Sequence, residues 1–89
     1  MTKEEYQAIY NYLSSLNGRH ASAKRSSERN RIESDAFNYA KNLPFELYCE
    51  LNDGAANGLF RHGHFDFDMS NALRILKEKI NNLNENNDE

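Results

Sequence analysis

The sequence contains one cysteine, one proline, four glycines and no tryptophan in 89 residues. With Cys49 alone, no disulfide can form within the chain, which excludes the staples that hold many small secreted domains together. Cys49 itself is expected to be a small buried apolar residue, since no base or cation near it in sequence would activate the thiol. No apolar run reaches bilayer-spanning length, and the opening MTKEEYQAIY is acidic and lacks the apolar centre of a signal peptide. The expectation is therefore an intracellular, cytoplasmic protein without membrane contact. Hydrophobic residues are scarce, at 38%, so the core should be small and its stability margin thin, and self-association is one way to bury more. The length suits one domain and excludes a two-domain enzyme.

The apolar residues that are present recur at helical spacing. Thr2 can cap a first helix while Glu5 reaches back to close a capping box. Tyr6, Ile9, Tyr10, Leu13 and Leu16 then form one stripe, and Asn17-Gly18 is read as its stop. A second stripe runs through Ile32, Ala36, Tyr39, Ala40 and Leu43 and ends at Pro44. Upstream of it, Lys24–Glu28, Arg29–Glu33 and Arg31–Asp35 are spaced to pair along a helix that begins near Ser22 or Ser26. A short third helix is expected from Pro44 to Asn52, with Phe45, Tyr48 and Leu51 inward and Asp53-Gly54 as its stop. A fourth should run from about Met69 to Leu83, capped by Asp66 or Asp68, with Leu73, Leu76, Ile80 and Leu83 on one seam. The fold class is thus all-α: a small four-helix domain over residues 1–83, with an irregular His/Asp/Phe segment between helices three and four. Residues 84–89, acidic and rich in asparagine, are expected to be a disordered tail.

In the irregular segment, His62, His64, Asp66 and Asp68 occupy alternate positions with Gly63, Phe65 and Phe67 between them. On an extended chain both phenylalanines would point one way and the four polar residues the other. Imidazole and carboxylate suit zinc and similar metals, which makes His62, His64 and Asp66 candidate ligands and a metal-dependent hydrolase one functional alternative. The three resemble the H-x-H-x-D-H motif of the metallo-β-lactamase superfamily. The likeness ends at Phe67, where that family has a histidine, and the chain is too short for the family's two-sheet fold. Same-face residues on one strand lie nearly 7 Å apart, so all four cannot reach a single ion. The simpler reading has the phenylalanines closing the core and an aspartate capping the last helix.

Charge is unevenly distributed. The net charge is −3, yet Gly18 to Arg31 carries five cations and one anion, a local +4 that leaves −7 for the rest. Clustered Arg19, His20, Lys24, Arg25 and Arg29 are candidate ligands for a compact anion such as a nucleotide or short nucleic acid, by charge and hydrogen bonding. The surrounding negative charge argues against long duplexes. Tyr6, Tyr10 and Tyr12 put more phenol on one helix than a small core needs, and they form a candidate protein interface. No glycine-rich phosphate loop and no nucleophile–base arrangement is identifiable, and no cofactor is implied. The expected function is that of a non-catalytic binding or regulatory protein, acting through protein–protein contact and self-associating into a homo-oligomer.

Overall fold

A computed structural model describes residues 1–52, 58–60 and 64–87. Four helices account for most of them: α1 (Lys3–Ser22), α2 (Ser26–Ala40), α3 (Phe45–Leu51) and α4 (Phe65–Asn87). Among the described residues there is no strand, and the class is all-α. The expected stop at Asp53-Gly54 lies outside the described residues.

Helix α1 starts as its sequence dictates. The Thr2 hydroxyl accepts the Glu5 N–H at 3.1 Å while the Glu5 carboxylate accepts the Thr2 N–H at 2.9 Å. Those bonds, the main-chain one foremost, hold the Glu5 carboxyl below the usual glutamate range. The helix does not stop at Asn17-Gly18 but continues to Ser22. Its extra turn brings Arg19 and His20 to the C-terminal end, opposite Glu4 and Glu5 in the first turn, and both placements complement the macrodipole.

The connection to α2 is closed by Arg29, whose Nη1 donates to the Ala23 carbonyl at 3.1 Å and whose Nη2 donates to Ser26 Oγ at 3.4 Å. This use of Arg29 displaces an expected pairing. Among the described residues, none of Lys24–Glu28, Arg29–Glu33 or Arg31–Asp35 forms an ion pair; Glu33 turns instead to His20.

Helix α3 begins one residue after its expected first position, with Pro44 as the cap. Leu47 and Leu51, one turn apart, become the buried pair. Phe45, expected inward, stands 78% exposed because two residues before Leu47 is about 200° around the helix. Cys49, expected buried, is also exposed, one turn beyond Phe45 on that outward side.

The largest departure is at the start of α4. Helix begins at Phe65, four residues before the expected Met69, so the alternation of a strand gives way to helical rotation. Phe65 is buried, Phe67 turns out to 60% exposure, and Asp68 turns in to 2%. Neither aspartate is the cap: the Asp68 N–H already bonds the His64 carbonyl at 2.9 Å, and Asp66 is an exposed acid of the first turn. At its other end α4 runs past Leu83 to Asn87.

The core is built by α1 lying along α4, with α2 packed on α1 and α3 on α4. Ile9, Leu13 and Leu16 meet Ile32, Ala36, Ala40, Leu47, Leu51, Met69, Ala72 and Leu76, and Leu59 and Phe60 plug the end. Truncating a wholly buried leucine such as Leu13 or Leu76 should cost about 2–5 kcal/mol. In the plug, Phe60 holds a left-handed φ of 62°, a conformation disfavoured for a bulky side chain. Two side chains fix it there: Asp68 Oδ2 accepts the Phe60 N–H at 2.9 Å, and the Tyr48 hydroxyl accepts the Leu59 N–H at 3.2 Å. No described helix is long and apolar enough to cross a membrane.

Candidate functional site

The two polar clusters singled out in the sequence meet at His20. Because α1 extends past Gly18, His20 sits where α1 crosses both α2 and the first turn of α4. Its Nε2 lies 2.8 Å from Glu33 Oε2 and its Nδ1 3.9 Å from Asp66 Oδ1, with the His20 side chain 12% exposed. The ring also stacks on Phe65, with centroids 4.1 Å apart and planes at 26°. One imidazole therefore ties three helices together.

That geometry decides what the cluster can do. The carboxylates approach opposite nitrogens of one ring, so no single ion can be gripped by His20, Glu33 and Asp66 together. Among the described residues no group of three or more metal-ligating side chains converges. Of the expected metal ligands, His64 is exposed just before α4, Asp66 is turned toward His20, and His62 lies outside the described residues.

The candidate anion ligands divide into two sets. His20 and Arg29 are engaged by the fold, through Glu33 and through the Ala23 carbonyl. Arg19, Lys24 and Arg25 are exposed and make no ion pair with any described residue. Arg19, Ser22 and Arg31, together with Glu28 and Asp35, line an open groove of about 420 Å³ at the α1–α2 corner. Its two acids balance its two guanidinium groups in formal charge.

Tyr6 and Tyr10 lie on the expected α1 stripe and Tyr12 lies off it. Tyr6 and Tyr10 are half-buried against the core, and Lys79 sits over the Tyr6 ring at 5.7 Å. Tyr12, 39% exposed, packs on Tyr39 of α2 with centroids 4.2 Å apart. The most exposed aromatic surface belongs instead to Phe45 and Phe67. Sequence reasoning missed both: it places Phe45 by its spacing to Tyr48 and Leu51 and Phe67 by the alternation of a strand, whereas α3 buries Leu47 and α4 is already helical at Phe65. Glu33 was missed as well; its local partner at Arg29 masked a contact that only tertiary packing creates.

No protein-family model, curated protein or solved structure matches the chain.

Proposed function

We propose that the chain is a non-catalytic binding protein that acts by occupying the surface of a protein partner and that also associates with itself. The observation that carries this reading is the exposure of Phe45 at 78% and Phe67 at 60% in a chain with only 38% hydrophobic residues. Each ring would contribute roughly 1.5–3 kcal/mol if covered, and large aromatic side chains are the usual anchors of protein interfaces. Light scattering behind size exclusion over a range of concentrations, combined with capture on the immobilised chain, tests the reading. A strict monomer that captures nothing overturns it.

A second reading is supported by the unpaired cations at the α1–α2 corner. Arg19, Lys24 and Arg25 offer charge with no internal partner among the described residues, as a site for a nucleotide or short nucleic acid would. Titration at two salt concentrations, with Arg19→Glu and Arg25→Glu combined, separates the readings. Affinity unchanged in the double variant rejects this one.

A further inference from the structure

We infer that the groove at the α1–α2 corner is a site for a small zwitterion, an ω-amino acid whose ammonium and carboxylate are joined by a short methylene chain. The inference goes beyond the proposed partner surface, since Phe45 and Phe67 take no part in it. Arg19 and Ala23 on α1 and Glu28, Arg31, Ile32 and Asp35 on α2 wall a space of about 420 Å³, on the scale of small-molecule sites at roughly 300–1,000 Å³. Its four charges are open. Among the described residues, neither guanidinium and neither carboxylate makes an ion pair. Arg31 and Asp35 are spaced for one, but the cation comes first along α2, the weaker order at that spacing.

Charge and spacing select the ligand. The two cations and two anions cancel, so a simple anion drawn to Arg19 and Arg31 is repelled by Glu28 and Asp35, and a simple cation meets the reverse. A molecule carrying both signs can meet each with its opposite. Along α2, Arg31 lies about 4.5 Å beyond Glu28 and about 6 Å before Asp35, and the two acids are about 10.5 Å apart. One ammonium therefore reaches only one acid, about one helical turn from the guanidinium. Arg19 brings the second guanidinium from the other wall, and guanidinium groups match a carboxylate in shape as well as charge. The apolar lining is Ala23 and the buried Ile32, which suits methylenes between the two charged ends.

The experiment titrates the full chain at low salt with γ-aminobutyrate and, in parallel, with butyrate, butylamine and glycine, following backbone amide shifts by NMR. The expected result is that γ-aminobutyrate moves the amide signals of Arg19, Ala23 and Ile32 saturably. The other three should bind at least about tenfold more weakly, each lacking one charge or the spacing. Arg31→Gln and Asp35→Asn should each weaken γ-aminobutyrate about tenfold. Arg31→Gln should leave butylamine no weaker, and Asp35→Asn should leave butyrate no weaker, which a general loss of structure would not do. The amide spectra also show that each variant stays folded. Butyrate bound as tightly as γ-aminobutyrate makes the groove an anion site and overturns the zwitterion. Glycine bound as tightly removes the spacing that singles out an ω-amino acid, and so overturns the ligand class. No saturable shift with any of the four overturns the site and leaves the proposed partner contact through Phe45 and Phe67 standing.

Discussion

Asp68, on the first turn of α4, accepts the main-chain N–H of Phe60 through Oδ2 at 2.9 Å, inside a site where both residues are almost wholly buried. The bond fixes the chain just where Phe60 takes its left-handed conformation, so one carboxylate joins the plug to the helix beneath it. Replacing Asp68 with alanine leaves a buried donor without an acceptor, which costs about 1–3 kcal/mol. Asp68→Asn retains a carbonyl acceptor and should cost less. Urea denaturation of both variants measures the difference, and equal losses would show that the hydrogen bond is not what stabilises the plug.

Gly18 marks where local signals mislead. Asn17-Gly18 is a strong helix stop when read alone, because glycine tolerates the left-handed geometry of a helix end. Here Gly18 lies inside α1, on its exposed side, and a Cβ added to it would meet nothing within 4 Å. Glycine in a helix interior is less favourable than alanine by roughly 0.5–1 kcal/mol. Gly18→Ala should therefore raise stability by about that amount, seen as a higher thermal midpoint. A lower midpoint would mean that α1 ends at Gly18 after all.

Periodicity made the helices legible: Ile9, Leu13 and Leu16, Ile32 and Ala36, and Leu76 and Ile80 are all inward, as their spacing requires. Capping at Thr2 was equally readable, being a contact three residues long. Helix phase was not legible where a helix starts within an ambiguous segment. Phe65-Asp66-Phe67-Asp68 fits a strand by alternation, and only the helical start at Phe65 turns Phe67 out and Asp68 in. Three-residue spacing to Tyr48 and Leu51 places Phe45 inward, but the short helix buries the stripe through Leu47 and Leu51 instead, and Phe45 lies about 200° from Leu47. The candidate site followed suit. Arg19, Lys24 and Arg25 were read as exposed cations and stand so, whereas the contact of His20 with Glu33, 13 residues away, depends on how two helices cross.

The His20–Glu33 contact gives a direct measure of that crossing. At 2.8 Å, with both side chains largely buried, it should be worth about 1–2 kcal/mol. His20→Ala and Glu33→Ala, alone and combined, form a cycle whose interaction term isolates the pair. His20→Ala should be the more costly single change, because it also removes the stack on Phe65. An interaction term near zero would mean that α1 and α2 are positioned by their apolar seam alone.

Tyr39 makes stability sensitive to alkali. Burial foremost, with Tyr12 beside it, holds the Tyr39 phenol above the ordinary tyrosine value of 10.0. The folded chain therefore keeps this proton where the unfolded chain releases it. The sign follows: the contribution is full below the ordinary value, weakens once the unfolded phenol ionises, and is lost as pH rises through the folded value. Tyr39→Phe cannot ionise, keeps the ring on Tyr12 and should lose less stability than the wild type between neutral pH and about pH 11. Urea midpoints of both proteins at the two pH values check this. An equal fall in each would assign the alkaline sensitivity to other groups and leave the Tyr12–Tyr39 contact as packing only.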